Sequence, residues 1–536
     1  MIKLTVFSIL FFYFNFSISQ ESKSEEFTQI INSNLSTEEL LVFAESLSDA
    51  VSDISEVNIN LSVLDAGLSE SNTLRKNIGL VKGNMFFAEI VGSDIPKTFV
   101  IDNFNEHIEN VFTYDGFILG DENSFFSFAS NNGLVTGKIV YDFKNYTIVH
   151  DGETRQVMLQ FDPKKIPFDQ NDFVKMEGIP LSESEEKFLI EEKLKLIDSD
   201  SRSTTTTVKV LFLYASDTYD PAGTVSIMIS EFNAALSTSG VTNKFISSAG
   251  IIPLNTTFSG QCKRTVLDSM TAASGIFSDL PQRRDAANAD LIFTIINDGG
   301  VSSPDPFCRV GGVANLPANI NNSNVPYAVS ADSFILADNT GSHETGHVLK
   351  GYHVRDDSGT PTASRGFHNA AKGWQSMMGS YEGNCAPFTG PNSPCVRLNQ
   401  FSNPSNTYNG DPIGKIGKKD FAGYLDNTSM IAASIYRNTN PPIPNIPSSL
   451  NVNQGNCFGL NGLNWTDNDI NTLRYVLSYS TQSNFSNSSQ IYNGWDKITS
   501  INVLTDPWYL RVKACNASGC SGWSNQVTAN RISTCN

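Results

Sequence analysis

Three of the six histidines in this chain lie within eleven consecutive residues, and the first of them is followed directly by a glutamate. The segment reads His343-Glu344-Thr345-Gly346-His347-Val348-Leu349-Lys350-Gly351-Tyr352-His353. On a helix, His343 and His347 lie on one face, one turn apart, and can bind the same metal ion. Glu344 is then held beside the metal without binding it. From there it can take a proton from a water molecule whose pKa zinc lowers to about 7.

The third histidine joins this set only if the helix ends before it. A continuous helix would carry His353 about 9 Å beyond His347 and onto another face. We expect Gly351 to make the turn, because glycine accepts a positive φ at a helix C-terminus. A turn shifted onto Lys350, in a costly left-handed conformation, is the alternative. Three neutral imidazoles leave a fourth tetrahedral position open, which is typical of catalytic zinc.

Two other interpretations of the segment are weaker. An isolated H-E-x-x-H also occurs by chance on ordinary amphipathic helices that bind nothing, but the third histidine favours a metal site. A second class of zinc site uses a downstream acid as its third ligand. The nearest acids, Asp356, Asp357 and Glu382, have no helical pattern suited to that role. We therefore favour His353.

The segment resembles the zinc signature of metzincin metallopeptidases, H-E-x-x-H-x-x-G-x-x-H followed by a methionine turn. Residues 376–381 resemble that turn, with Met378 as the methionine that packs beneath the metal. The likeness continues through stretches on both sides of the signature: 208–215, 289–293, 395–404 and 408–410. Together they resemble the reprolysin-like and peptidyl-Asp branch of metzincins over roughly residues 207–437. This chain departs from the family pattern at Lys350, where the family glycine normally stands, and at Tyr381, which comes three residues after Met378 rather than two.

The resemblance implies a zinc endopeptidase that acts on proteins or peptides. His343, His347 and His353 would bind Zn²⁺, and Glu344 would take a proton from the attacking water and pass it to the leaving amine. A non-catalytic adhesion or binding protein on a metalloprotease scaffold is the alternative. The intact Glu344 and the three histidines argue against it. The family's preference for aspartate is an analogy that a fold alone does not carry.

The N-terminus and the cysteines predict export. Residues 1–19 form a signal peptide pattern: Lys3, then an apolar run over residues 4–16, then small residues before Gln20. The chain is thus expected to be secreted, and no other apolar run approaches the length of a membrane span. Four cysteines lie in the metzincin-like region and four near the C-terminus, which predicts disulfides within each part. Cys262–Cys308 and Cys385–Cys395 are the expected pairs in the first part; free buried thiols are the alternative.

Charge divides the chain into parts. Residues 21–206 hold 33 acidic and 15 basic side chains and no cysteine, whereas residues 207–536 hold 22 acidic and 21 basic side chains. We expect residues 20–206 to be an acidic prodomain that ends in a processing linker, with Arg202 as a candidate cleavage point. The chain would then be made as a zymogen. An acidic domain that merely keeps the protein soluble is the alternative. A nucleic-acid partner is not expected.

The remaining patterns complete the predicted architecture. Strand-like stretches at 208–215, 245–254 and 291–297 alternate with helical stretches at 225–237 and 265–277, which indicates a mixed sheet flanked by helices. Residues 326–330 are expected to form its edge strand, to which a substrate would add as a further strand. A proline-rich linker at 438–447 precedes residues 448–536, which resemble a fibronectin type III sandwich with Trp465 in its core. The predicted class is α+β, a metzincin-like mixed sheet with an active-site helix, plus an N-terminal prodomain and a C-terminal all-β sandwich. A weak adhesion ligand of the sandwich is a further candidate partner.

Overall fold

The computed structural model describes most of the chain in three folded parts. The described residues are 26–30, 51–60, 84–162 (without 92, 94, 122–123, 143 and 151–154), 173–175, 184, 187–188, 191, 205–297 (without 259), 308, 310–317, 326–353, 364–379, 395–436, 441–453 and 460–530 (without 470, 495–496 and 503–506). The expected signal peptide, the candidate cleavage point Arg202, Cys385 and Tyr381 lie outside them. Among these residues, no helix is both long and apolar enough to cross a membrane.

The first part is a closed barrel of nine strands. They are β1 (Glu26–Ile30), β2 (Val51–Ile59), β3 (Asn84–Ala88), β4 (Lys97–Ile108), β5 (Val111–Ile118), β6 (Phe125–Asn131), β7 (Leu134–Tyr141), β8 (Lys144–His150) and β9 (Gln156–Phe161). Their order is β1-β2-β9-β8-β7-β6-β5-β4-β3, and a parallel pairing of β1 with β3 closes the ring. Alternate side chains point inward. Phe86, Phe99, Phe126 and Phe128 fill the interior with ring centroids 4.9–6.3 Å apart.

The second part is a six-stranded mixed sheet. Its strands are β10 (Phe173–Lys175), β11 (Thr206–Tyr214), β12 (Lys244–Pro253), β13 (Leu291–Ile296), β14 (Gly312–Leu316) and β15 (Tyr327–Ala331), in the order β10-β14-β15-β13-β11-β12. Strands β11, β12, β13 and β15 run parallel, and β14 is antiparallel to β15. Its helices are α1 (Pro221–Thr238), α2 (Lys263–Thr271), α3 (Leu280–Ala286), α4 (Asp332–Asp338) and α5 (Thr340–Val348).

Both faces of this sheet are covered, as its parallel strands require. Along β11, Val208, Val210 and Phe212 join the core beneath α1, while Leu211 and Leu213 join the core beneath α2 and α3. The first core extends to the segment after α5. That segment holds the short strands β16 (His368–Asn369), β17 (Trp374–Gln375), β18 (Val396–Arg397), β19 (Asn403–Tyr408) and β20 (Asp411–Ile413), then α6 (Phe421–Tyr424), a π-helical turn (Leu425–Ser429) and α7 (Met430–Tyr436).

The sequence-based elements of this part are largely confirmed, with one error. The stretches predicted at 208–215, 225–237, 245–254 and 291–297 correspond to β11, α1, β12 and β13, and the helix predicted at 265–277 ends at Thr271, before a 3₁₀ turn at Gly275–Phe277. The predicted edge strand at 326–330 is wrong. That stretch is β15, which pairs with β13 on one side and β14 on the other. Its five residues are all buried, and a fully buried interior strand has no alternating pattern that would tell it from an edge.

The third part is a β-sandwich. Its strands are β21 (Ser448–Asn453), β22 (Leu460–Thr466), β23 (Arg474–Ser480), β24 (Ser489–Gly494), β25 (Ile498–Asn502), β26 (Trp508–Asn516), β27 (Gly519–Cys520) and β28 (Val527–Ala529). One sheet has the order β21-β22-β25, and the other β24-β23-β26-β27 with β28 beside β26. Trp465 lies in the core between the sheets, as expected from the sequence. The Ala517 N–H donates to the Ala286 carbonyl over 3.0 Å, which joins the sandwich to α3.

Candidate metal centre

Helix α5 places His343 and His347 on one face. The helix begins after Asn339, whose carbonyl accepts the first helical hydrogen bond from the His343 N–H over 3.0 Å. The two Nε2 atoms lie 3.1 Å apart, as expected for residues four apart on a helix that point at the same place. Both imidazoles are completely buried.

The chain leaves the helix one residue earlier than the sequence suggested. Lys350, not Gly351, adopts the positive φ, at 69°. The Lys350 N–H donates to the His347 carbonyl and the Gly351 N–H donates to the Gly346 carbonyl, both over 2.8 Å, which is the hydrogen-bond pattern of a Schellman turn. The expectation that Gly351 makes the turn is therefore wrong, and the alternative of a left-handed Lys350 is correct.

Gly351 is needed for a different reason. A Cβ at this position would lie 2.8 Å from Cζ of Phe421 and 2.9 Å from the Gly346 carbonyl oxygen. The backbone here is thus packed too closely for any side chain. That close packing brings the Gly351 carbonyl to 2.7 Å from Nδ1 of His347. The glycine fixes the orientation of a histidine rather than the hand of the turn.

The turn returns His353 to the other two histidines. Its Nε2 lies 3.1 Å from Nε2 of His343 and 3.0 Å from Nε2 of His347. The three ring nitrogens form a nearly equilateral triangle, and His353 is only 4% exposed. Among the described residues, these three side chains form the one group of histidines, cysteines and acids whose geometry suits a metal ion.

The tautomers of these rings suit a bound cation. A neutral imidazole carries one N–H. The Nδ1 of His343 lies 2.7 Å from the Met377 carbonyl oxygen, and the Nδ1 of His347 makes the matching contact with Gly351, so both rings donate from Nδ1. When both rings are neutral, their Nε2 atoms direct their lone pairs at the same point. A metal ion accepts both lone pairs at once.

The distances suit zinc. Nitrogen ligands about 2.1 Å from a tetrahedral zinc ion are separated by about 3.4 Å, close to the spacing in this triangle. The carbonyl contacts of His343 and His347 also match the usual second shell of metal-bound histidines, which fixes the tautomer and raises the basicity of the ligand. The residues present therefore fit a metal bound by three histidines.

Glu344 lies beside strand β14 of the mixed sheet. It is fully buried in α5, and a Cβ at Gly312 of β14 would lie 2.7 Å from its Oε1. Only a glycine at this point of β14 leaves room for the carboxylate. Glu344 is not a member of the metal-binding group.

Two consecutive methionines support the site from below. Met378 is fully buried, and a Cβ at Gly346 would lie 2.3 Å from its Sδ, so the thioether packs directly against α5 between the two histidines of that helix. The sequence pointed to this methionine. It did not identify Met377, whose backbone carbonyl orients His343. A backbone contact of this kind leaves no signal in residue types.

The outer edge of the sheet next to Glu344 is occupied. Strand β10 pairs with β14 in parallel register, Phe173 opposite Ala314 and Lys175 opposite Leu316. Without β10, strand β14 would be the outermost strand on this side of the sheet, where an extended peptide could add. Here a segment from the acidic N-terminal region takes that place.

The described cysteines agree with the sequence analysis, and the other three histidines take no part in the metal-binding group. His107, His150 and His368 lie outside the metal-binding group. Cys262 and Cys308 form the expected disulfide, and Cys515 pairs with Cys520. Cys395 is also disulfide-bonded. These bonds are compatible with an extracellular protein.

Comparison with known proteins supports a metallopeptidase relation. No protein-family model matches the chain. The chain is 24% identical over 312 residues to a protein named Peptidyl-Asp metalloendopeptidase from Stenotrophomonas maltophilia (strain K279a), which covers 56% of this chain and 68% of that protein. A distant homologue with that name supports a peptidase function in general and a metal cofactor.

Solved structures similar to the chain contain fibronectin type III domains. Domains A168–A170 of titin are 18% identical over 17% of this chain and 32% of that one, with a TM-score of 0.15, so the chain spans about a third of that fragment. A fibronectin type III domain of human fibronectin type III domain containing protein 3 is 19% identical over 18% of this chain and 92% of that one, with a TM-score of 0.16. An Fn3-like protein from Clostridium thermocellum is 18% identical over 16% of this chain and 90% of that one, with a TM-score of 0.15. Likenesses at such TM-scores carry no functional argument.

Proposed function

We propose that this chain is a secreted zinc endopeptidase of the metzincin type, made as a zymogen whose N-terminal region is the prodomain. The observation that carries the proposal is the convergence of three imidazole nitrogens within 3.1 Å of one another, two of them with their Nδ1–H groups committed to backbone carbonyls. The distant metalloendopeptidase relative and the disulfides support it.

His343, His347 and His353 hold the zinc ion. When bound, zinc lowers the pKa of a water molecule to about 7 and polarises the scissile carbonyl. The Met377 and Gly351 carbonyls keep the lone pairs of two of the ligands directed at the metal position. Met378 fills the space beneath the helix and excludes water from that side.

Glu344 acts as the general base and then as the general acid. It takes a proton from the attacking water, and passes that proton to the amine of the leaving product. Two structural facts suit this role: the carboxylate is buried, and it lies beside Gly312 of β14, where a peptide backbone would run. A general base of this kind contributes roughly 10²–10⁴-fold to the rate.

Strand β14 aligns the substrate. Once β10 has left, an extended peptide would add to the edge of β14 through backbone hydrogen bonds, so this edge selects extended segments of protein rather than particular side chains. Strand β10 occupies that edge, and it comes from the N-terminal region, ahead of the candidate cleavage point. This occupancy supports the assignment of the N-terminal region as a prodomain that blocks substrate without a cysteine.

The test compares metal content and peptidase activity in three proteins. The wild-type chain, Glu344→Gln and Glu56→Gln, a control on barrel strand β2, are each assayed on a mixture of unfolded proteins before and after limited proteolysis. We expect one zinc per chain in all three. Activity should appear on proteolysis in the wild type and the control, and fall by at least about 100-fold in Glu344→Gln.

Other outcomes lead elsewhere. Zinc without activity in every form, with intact binding of unfolded proteins, would favour the non-catalytic binding protein. Full activity in Glu344→Gln would show that a different group is the base. A wild-type chain that binds no zinc would end the proposal.

A further inference from the structure

Helix α1 meets the barrel through a fully buried ion pair. Lys138 of barrel strand β7 places its Nζ 2.8 Å from Oε1 of Glu231 in α1, and both side chains have 0% exposure. The same ammonium donates a hydrogen bond to Oδ1 of Asn339. Asn339 is the residue whose carbonyl starts helix α5 at His343. One barrel lysine therefore contacts both α1 and the start of the metal-binding helix.

Further polar contacts cross the same interface. Asp220, which caps the N-terminus of α1, accepts hydrogen bonds from Thr136 over 2.6 Å and from Asn131 over 2.8 Å, both on the barrel. Asp115 of strand β5 accepts one from Ser230 of α1. Asp220, at the first turn of α1, and Asp115, opposite Ser230 ten residues later along α1, thus each accept a hydrogen bond from across the interface.

The rest of the interface is a single apolar core. It contains side chains of both parts, all less than a tenth exposed: Val111, Ala129, Val149, Val157, Leu159 and Phe161 from the barrel, and Ile227, Ala331, Phe334, Leu336 and Ala337 from the central part. Interfaces this apolar, with buried and paired charges, are typical of permanent rather than transient complexes.

A cut in the linker breaks none of these contacts. All of them lie either before residue 162 or after residue 205. Separation would expose the whole apolar core to water and would leave Glu231 without its counter-ion. Re-forming the complex removes both costs, so association is favoured without a covalent link.

We propose that the barrel stays bound as a non-covalent subunit after the chain is cut in the linker, and that Lys138 is the residue that secures it. Strand β10 precedes the linker, so it remains part of the barrel fragment and stays on the edge of β14. A single cut is then insufficient to free the substrate edge. Retention of the barrel is independent of the proposed function, whereas this consequence for activity rests on it.

The experiment uses the full chain with residues 198–204 replaced by the recognition sequence of a site-specific protease. After complete cutting, the protein is run on a size-exclusion column at about 1 µM. We expect the two fragments to elute together. Fragments that elute apart at this concentration would overturn the proposal.

Variants of the full chain, cut in the linker and captured on a surface through the C-terminal fragment, then test the residue assignment by the affinity with which each retains the barrel fragment. Lys138→Met should weaken binding by at least about 100-fold, since it leaves a buried carboxylate without its partner. Lys144→Met, on the neighbouring strand β8, is the matched control and should bind like the wild type. Thr136→Ala removes only one hydrogen bond, to Asp220, and should weaken binding by about 10-fold, which covers the case in which Lys138→Met fails to fold. Unchanged binding by both Lys138→Met and Thr136→Ala would overturn the assignment of the interface.

The peptidase readout separates the two proposals. Fragments that remain together, with peptidase activity only after a second cut removes β10, support both. Fragments that remain together but are fully active after the linker cut would contradict the inference that β10 still blocks the edge of β14. Fragments that remain together with no activity in any form would count against the proposed function and leave retention intact.

Discussion

Two buried polar clusters adjoin Asn339 and differ in composition. The histidine cluster consists of His343, His347 and His353, and the interface cluster consists of Lys138, Glu231 and the Asn339 side chain. The histidine cluster gathers three like groups whose lone pairs converge on one point. The interface cluster gathers unlike groups, an ammonium, a carboxylate and an amide, which neutralise one another. Asn339 contacts the first through its backbone carbonyl and the second through its side chain.

The difference indicates which cluster needs something from outside the chain. Buried polar groups must be satisfied by some partner. In the interface cluster the buried Glu231 carboxylate has its counter-ion, Lys138, within the chain, so the cluster joins two parts of the fold. In the histidine cluster three Nε2 atoms converge on one point while two Nδ1–H groups donate to backbone carbonyls, an arrangement that suits a bound cation. Convergence of like groups therefore predicts a ligand, and pairing of unlike groups predicts an interface.

The largest effect is expected from breaking the histidine cluster. His343→Ala removes one of three metal ligands, and should weaken zinc binding by more than about 100-fold, because loss of even a second-shell partner costs 10–100-fold. Competition with a fluorescent chelator measures the affinity. His107→Ala, a histidine outside the cluster, should bind zinc like the wild type. Equal affinity in the two variants would show that the triangle is not the metal site.

Breaking the interface cluster should cost stability rather than metal. Lys138→Met leaves the Glu231 carboxylate buried beside an apolar group, which typically destabilises by about 3–5 kcal/mol. Burial raises the pKa of Glu231 while the Lys138 ammonium lowers it, so the carboxylate depends on this partner. Urea unfolding measures the loss.

A double variant sharpens this test. Lys138→Met with Glu231→Leu removes both charges and should recover most of the lost stability, because apolar replacement of a whole buried pair is often neutral. Zinc affinity of the folded variants should stay within about 10-fold of the wild type. A double variant no more stable than the single one would mean that the pair is not the source of the loss.

The two clusters also differ in how far the sequence predicts them. All three proposed metal ligands and Glu344 lie within eleven residues, so helical spacing and one turn bring them together, and the pattern shows in the residue types. Lys138 and Glu231 are 93 positions apart, and the sequence around each contains no motif that marks an ion pair. A lysine on a strand is ordinarily solvated. Only the packing of the barrel on α1 turns it into a buried ion.

Within the metal site, the sequence failed where the cause was packing. Glycine at 351 suggested a positive φ, but its actual constraint is the approach of Phe421, which follows 70 positions later. The left-handed conformation falls on Lys350, at a cost that hydrogen bonds of the turn offset. Long-range contacts of this type cannot be derived from local propensity, whereas helix α1 and strands β11, β12 and β13 of the central sheet could.

A pH titration tests a second charged group of the interface. Burial raises the pKa of Asp115 from 3.8 to about 6, with hydrogen bonds from Ser127 and Ser230 acting in the opposite direction and Asp102 adding to the rise. Since the folded-state pKa is above the unfolded one, the neutral acid favours the folded state. Its contribution is fully present below pH 3.8 and is lost as the pH rises through 6. Between pH 4 and 7 the loss is about 2 kcal/mol.

Asp115→Asn removes this titration. The free energy of unfolding of the variant, relative to the wild type, should therefore increase by about 2 kcal/mol between pH 4 and 7. His107, whose pKa burial lowers to about 4, works in the opposite sense, since its contribution is lost as the pH falls below 6.5. It is present in both proteins, so it cancels in the difference. Parallel stability curves would contradict the assignment of Asp115.

The smallest effect concerns the floor of the metal site. A Cβ at Gly346 would lie 2.3 Å from Sδ and 3.2 Å from Cε of Met378. Alanine gains about 1 kcal/mol of helix propensity over glycine, but overpacking a full core typically costs about 1–3 kcal/mol. Gly346→Ala should thus lower the free energy of unfolding by about 1 kcal/mol. Gly462→Ala is the control, because its Cβ would meet no atom closer than 3.8 Å.

The same substitution shows whether Met378 only fills space beneath α5 or also positions a metal ligand. Met378 adjoins Met377, whose carbonyl fixes His343, so displacement of the thioether should also move a ligand. Gly346→Ala is then expected to weaken zinc binding by up to about 10-fold. Met378→Ala in the same protein removes the clashing atoms, so the double variant should lose less stability than the two single losses added together. If Gly346→Ala loses stability but keeps full zinc affinity, the floor only fills space. The orientation of His343 and His347 would then depend on the Met377 and Gly351 carbonyls and not on Met378.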